Sequence, residues 1–187
     1  MFEWSLDAIS GCTSIVRTVM AVPVGSADLI SPDGVEIVEG GATRAESVVN
    51  ALALCETDLV VVHDAARPLV TSRMFDSVIE RLAADESLAG AILASAIHDT
   101  VKRVGDDESV SETIDRSSLR AAETPQAFRA AALREAIDLG PSEATDEAMI
   151  VEAAGGKVAV VESGEENFKV TDPPDLERAA AILGSRG

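Results

Sequence analysis

The stretch "DLVVVHDAARP", Asp58–Pro68, decides the fold. Leu59, Val60, Val61 and Val62 follow one another with no polar residue between them. A strand without polar alternation is covered on both faces, as in a parallel sheet packed between helices. The run then ends abruptly on His63, Asp64, two alanines, Arg67 and Pro68. Open parallel sheets bind ligands at the carboxyl ends of their strands, so a carboxylate and a guanidinium at this point invite a search for partners.

Outward from this strand, the chain alternates. Residues 1–11 read as a helix with Phe2, Leu6 and Ile9 on one side. "SIVRTVMAVPVG" is strand-like, and "VEIVEGG" is a second strand stopped by Gly40 and Gly41. "TRAESVVNALAL" opens a helix, with Thr43 and Glu46 at capping-box spacing and Val48, Val49 and Leu52 inward. After the central strand, "TSRMFDSVIERLAAD" is an amphipathic helix that buries Met74, Val78, Ile79 and Leu82. "AGAILASAI" is a further buried strand. Helices are expected near 127–139 and 145–154, then a strand "KVAVVES" and a last helix from about 173. The class is α/β: a Rossmann-like, mostly parallel sheet with helices on both faces.

One segment breaks this rhythm. Thr100–Val104 and Ser109–Asp115 are short, polar and strand-like, separated by the acidic turn "GDDES". Neither has enough apolar surface for a core. A β-hairpin arm over about 98–118 is expected to project from the domain and to pack on a second subunit. With no repeat, linker or low-complexity tract, one domain spanning 1–187 plus this arm accounts for the chain.

Composition narrows the function. The chain has 187 residues, 47% of them apolar, enough for one domain with a sizeable core. Its net charge of -18 repels nucleic acid and anionic membranes, so neither is an expected partner. No apolar run is long enough to span a bilayer, and "MFEWSLDAISGC" lacks the features of a signal peptide; a cytoplasmic location is the default. Cys12 and Cys55 have no metal-ligand spacing and read as reduced thiols. Trp4 and four Phe are too scattered for a base-stacking platform. An anionic ligand would need a local cluster of cations inside this acidic shell.

The strand ends supply candidates. After "VEIVE" come Gly40 and Gly41, then Arg44 and Ser47 in a helix whose first N–H groups face an anion or simply close a turn. Asp64 and Arg67 suit Mg²⁺ and phosphate, or form a structural pair. After "KVAVVES", Glu166 offers a second carboxylate and Lys169 a cation, or the loop is merely solvated. The arm contributes Thr100, Lys102 and Arg116. His63 reads as a satisfied structural histidine turned to the opposite face from Asp64. "TDEA", Thr145–Ala148, reads as an N-cap followed by acids suited to a helix dipole.

In order along the chain, "GGATRAESVVNAL", "VVVHDAARP", "HDTVKRV", "TIDRSSLRAAETPQAF", "ATDEA" and "ENFKVTDPPDL" resemble the motifs of 2-C-methyl-D-erythritol 4-phosphate cytidylyltransferases, over about residues 2–183. Enzymes that activate ribitol 5-phosphate share much of this pattern. The resemblance implies transfer of CMP from CTP to a sugar-alcohol phosphate with release of pyrophosphate, assisted by Mg²⁺, in the non-mevalonate route to isoprenoid precursors. It implies that Gly40, Gly41, Arg44 and Ser47 lie at the nucleotide, and that Asp64, Ala65, Arg67, Thr100 and Thr124 line the acceptor pocket. Arg116 and Lys169 would aim the acceptor phosphate, and Asp64 and Glu166 would help hold the metal. It also implies a homodimer in which Thr100 and Arg116 serve the partner's site.

Two departures stand out. Ala42 occupies a position where the family often has an aspartate. Family members also begin with a strand and a glycine-rich loop carrying an arginine, with a lysine beyond it, whereas Met1–Trp4 already resembles the helix that follows. The expectation is a chain with unpaired strand edges that is a poor catalyst by itself, as a fragment or from a misassigned start. A non-catalytic acceptor-binding or dimerisation protein, and a transferase for another nucleotide or alcohol, are the competing readings.

Overall fold

A computed structural model describes residues 1–30, 32–140, 144–164 and 166–185. The apolar run forms β3 (Leu59–Val62), and its neighbours make a four-stranded sheet in the order β3-β7-β4-β8, with β4 at Gly90–Ala96, β7 at Arg120–Arg129 and β8 at Val158–Glu162. β4 and β8 are parallel to each other and antiparallel partners of β7 flank it on both sides, so three of the four strands point one way. Earlier in the chain, β1 (Thr18–Val22) and β2 (Val35–Glu39) form a separate parallel pair.

Both faces of the sheet are covered, which is why its strands read as continuous apolar runs. Successive residues go to opposite sides. Ala91 and Leu93 of β4 and Ala127 of β7 pack with Met74, Phe75, Val78 and Leu82 of α3 (Ser72–Ala83), beside α1 (Phe2–Ser10). Ile92 and Phe128 turn the other way, against Leu133 and Ala136 of α4 (Ala130–Leu139), Ile150 and Val151 of α5 (Glu147–Ala153), and Leu52 of α2 (Arg44–Leu52). Gly90 is opposite Phe128, and a Cβ there would lie 2.6 Å from the Phe128 ring; the strand needs glycine to admit the ring. The chain closes with α6 (Pro173–Ser185).

Three local expectations change. The fourth helix begins at Ala130, and the ten residues before it form β7 rather than helix or loop. Glu123, Pro125 and Gln126 disguise this strand, since proline interrupts a ladder. Here the pairing with β4 passes from Ile92↔Gln126 to Ala94↔Ala122, and the pairing with β3 ends at Val62↔Gln126. Pro125 falls in that irregular stretch, where its missing N–H removes no ladder bond. In α2, Val49 is 41% exposed and only Leu52 is fully buried. In α3, Phe75 joins the core residues that periodicity had picked out.

The arm forms from β5 (Val101–Val104) and β6 (Val110–Ile114), paired antiparallel and largely exposed. Arg103–Glu112 and Lys102–Thr113 contacts join its strands. The expected unpaired edges are also present among the described residues: β1 pairs only with β2, β3 only with β7. A cleft of about 500 Å³ lies between them, lined by Val19, Met20, Val61, Val62, Leu6 and Phe75 among others. No described helix is long and apolar enough to cross a membrane.

Candidate active site

β3 and β8 are the two outer strands of the sheet, and the segments that follow them come together beside β7. Beyond β3, the Arg67 N–H donates to the Asp64 carbonyl at 3.0 Å, closing a tight turn. The segment after β8 lies along that turn: Val170 N–H donates to the Ala66 carbonyl at 2.8 Å, and Arg67 Nη1 to the Asn167 carbonyl at 2.7 Å. Asn167 is buried and anchors the segment to β7, donating to Glu123 Oε2 at 3.1 Å and to the Thr124 carbonyl at 2.9 Å. This packing brings Lys169 Nζ to 3.0 Å from Asp64 Oδ2, across 105 residues of sequence.

Arg44, the first residue of α2, reaches the same carboxylate: its Nε donates to Asp64 Oδ1 at 3.0 Å. Its Nη1 and Nη2 donate to Glu147 Oε1 and Oε2 at 2.7 and 2.9 Å. Glu147 is only 2% exposed, a burial that a carboxylate tolerates because it is paired. Burial alone would raise the Asp64 pKa; the two cations outweigh it and hold the group below the usual carboxylate range. Burial likewise disfavours the Arg44 charge, and Glu147 with Asp64 more than offsets this. Burial lowers the Arg67 pKa, against the opposing pull of Glu123 and Asp64. The Arg67 Nε is buried with no partner among the described residues.

The glycine pair folds onto α2. Gly41 N–H donates to Ser47 Oγ at 3.1 Å, Ala42 and Thr43 N–H to Glu46 Oε2 at 2.6 and 3.3 Å, and Glu46 N–H to Thr43 Oγ1 at 3.1 Å. The predicted capping box is therefore complete. A Cβ on Gly41 would sit 2.1 Å from Glu46 Cβ, so the close approach demands glycine. These four N–H groups, three before the helix and one in its first turn, are satisfied locally by side-chain oxygens.

His63 lies beneath the site. Its Nδ1 is 3.0 Å from Thr124 Oγ1 and its Nε2 3.3 Å from Ser5 Oγ, with Phe75 edge-on at 5.2 Å. Burial lowers its pKa to about 4, with Arg67 acting in the same direction and Asp64 against it. Thr124 is buried, and its Oγ1 accepts the Asp64 backbone N–H at 3.0 Å. Its hydroxyl thus orients Asp64 from behind.

Asp64, Arg67, Lys169, Arg44 and Thr124 come together; Ala65 is exposed at the rim. Gly40, Gly41 and Ser47 border them through α2. Glu166 points instead to Arg178, with which it pairs and which lies 4.4 Å above the Phe168 ring. Thr100 and Arg116 are exposed on the arm and its base, and no side-chain partner holds Arg116 among the described residues. Sequence reading missed Glu147 as a bidentate partner. Asp146 does cap α5, accepting the Met149 N–H at 2.9 Å, and also receives Gln126 Nε2 at 3.0 Å. A hint lay in "TDEA", where only one of two adjacent acids can cap.

The residues present do not make a metal cage of their own. No group of three potential ligands converges among the described residues. Both Asp64 oxygens already accept from cations, and Glu166 is engaged by Arg178. Both cysteines are free; burial pushes both thiols up, away from reactivity.

The family of 2-C-methyl-D-erythritol 4-phosphate cytidylyltransferases (IspD) has a sequence model that matches residues 1–185. A cytidylyltransferase of that name from Tolumonas auensis is 44% identical over 152 residues, covering 80% of this chain and 66% of the relative. One from Rubrobacter xylanophilus is 45% identical, covering 85% and 72%. The chain thus spans about two thirds of the length of these relatives. The crystal structure of the Thermus thermophilus enzyme superimposes with a TM-score of 0.83 at 34% identity, covering 96% of this chain and 86% of that one. That of 4-diphosphocytidyl-2C-methyl-D-erythritol synthase from Anaerococcus prevotii gives 0.86 at 28%, covering 98% and 88%. With its Rossmann-like sheet and a charged site at the strand ends, this chain belongs to the 2-C-methyl-D-erythritol 4-phosphate cytidylyltransferase family.

Proposed function

We propose that this protein transfers CMP from CTP to 2-C-methyl-D-erythritol 4-phosphate, releasing pyrophosphate, in isoprenoid precursor biosynthesis. The acceptor phosphate oxygen attacks the α-phosphorus of CTP; the new P–O bond forms as the α–β bridge breaks, and pyrophosphate leaves. Catalysis of this kind is positioning and charge neutralisation. The observation that carries the reading is Lys169 against Asp64 beside Arg67, where the segments after β3 and β8 come together.

In this reading Lys169, 42% exposed and with ammonium protons to spare, holds the acceptor phosphate. Asp64 meets the acceptor's hydroxyls. Gly40, Gly41 and Ser47 flank the nucleotide, and Arg116 and Thr100 of a second subunit close the site in a homodimer. Mg²⁺ bound together with CTP would supply neutralisation of the charge that develops on the leaving pyrophosphate. A cytoplasmic location fits a pathway of soluble phosphorylated metabolites.

The test is pyrophosphate release by the folded chain with CTP, Mg²⁺ and 2-C-methyl-D-erythritol 4-phosphate, with ribitol 5-phosphate in a parallel arm. Slow release that requires both CTP and the methylerythritol acceptor is expected. Preference for ribitol 5-phosphate would reassign the acceptor. Binding of the acceptor without release favours a non-catalytic role, and the absence of both binding and release removes the reading.

A further inference from the structure

Four side chains from four parts of the fold form one continuous relay: Glu147 on α5, Arg44 on α2, Asp64 after β3 and Lys169 after β8. Each polar atom has a single task. The two Glu147 oxygens take both terminal nitrogens of Arg44, which leaves Nε to Asp64 Oδ1. Arg44 on Oδ1 leaves Oδ2 to Lys169. A fork-to-fork contact fixes the plane of a guanidinium as well as its position. The direction of Nε–H, and with it the rotation of the Asp64 carboxylate, is therefore set from Glu147.

The Arg44 guanidinium is shared between two carboxylates, which take three of its five N–H donors. Glu147, almost without exposure, cannot touch a substrate. We propose that Glu147 is a positioning residue for the transfer reaction: through Arg44 it orients Asp64, and through Asp64 it aims Lys169 at the acceptor phosphate. This rests on the function proposed above.

A purely structural ion pair between α2 and α5 is the competing account, and two measurements separate it. The first is side-chain ¹³C relaxation of Lys169 in wild type and Glu147→Gln. Lys169 does not touch Glu147, so a local ion pair leaves its order unchanged, whereas the relay predicts an ordered side chain that becomes mobile in the variant. Unchanged order overturns the proposal. The second is kinetics: the relay predicts that kcat falls about 10- to 100-fold while KM for CTP moves less than about 3-fold. Loss confined to stability, with kcat per folded molecule intact, overturns it.

Should Glu147→Gln fail to fold, Arg44→Lys replaces it. Lysine keeps a cation opposite the buried carboxylate but cannot bridge both acids in a fixed plane. The relay predicts the same loosening of Lys169 and the same fall in kcat; full activity of Arg44→Lys overturns the relay. If wild type releases no pyrophosphate, the proposed function fails, and the relaxation measurement still decides whether Glu147 orders Lys169.

Discussion

His63 shows how one buried group shapes the pH response of the whole site. Thr124 Oγ1 takes the Asp64 N–H and has one proton left to give to Nδ1; Nε2–H then donates to Ser5. This arrangement satisfies a neutral ring. Burial lowers the folded-state pKa from 6.5 to about 4. Between those values the unfolded chain takes up a proton that the folded chain refuses, so stability falls as pH drops through this window. The loss approaches roughly 3 kcal/mol at the low end, at about 1.36 kcal/mol per pH unit. Denaturant melts from pH 7 to 4 should show this slope in wild type and a shallower one in His63→Gln. Parallel slopes would mean that His63 is protonated in the folded chain. Asp64 behaves differently: its depressed pKa keeps its contribution intact above the unfolded carboxylate's range, and that contribution is lost only on further acidification.

At the scale of elements, the four-stranded sheet and the β1–β2 pair differ in how they are held. β4 has partners on both sides and packs into both cores, whereas β1 has one partner and faces the cleft with its other edge. None of the described residues of β1 or β2 belongs to either packed cluster. Native-state hydrogen exchange should therefore find β1 amides exchanging at least about 100-fold faster than those of β4 and the paired half of β7. Equal protection would mean that β1 and β2 open only with the whole domain. What the sequence made legible follows the same division. β3, β4, α3 and the arm were readable because periodicity, apolar runs and turn chemistry agreed there. β7 was not, because Pro125 and the buried Glu123 and Gln126 contradict its pattern; it is a strand through its ladders with β3 and β4, and long-range partners, Asn167 and Asp146, satisfy its buried polar side chains. The site shows a similar split. Asp64, Arg67 and Lys169 stand at strand ends and announce themselves. Glu147 hides as the acid after a helix cap, its partner 103 residues away. Motif likeness pointed to Thr124 at the acceptor, but its burial behind Asp64 depends on tertiary packing that no local signal encodes.

At the scale of the whole molecule, the arm and the net charge set a joint problem. A two-stranded hairpin gains little stability alone, and this one pairs with itself through polar contacts while Val104 and Val110 remain exposed at its end. In the proposed homodimer a partner covers it, despite a charge of -18 on each copy. The acidic shell makes the placement of each cation decisive, and Arg116, exposed at the base of the arm, is the one that a second subunit would receive. This gives a sharp genetic test of shared sites. Arg116→Ala and Lys169→Ala should each be nearly inactive as a homodimer. Refolded together from equal amounts, half the dimers are mixed, and each mixed dimer contains one site with both cations intact, so activity should return to about a quarter of wild type. If Arg116 serves the site of its own chain, every site in the mixture lacks one cation and no activity returns. A mixture that stays monomeric by sedimentation would refute the dimer itself.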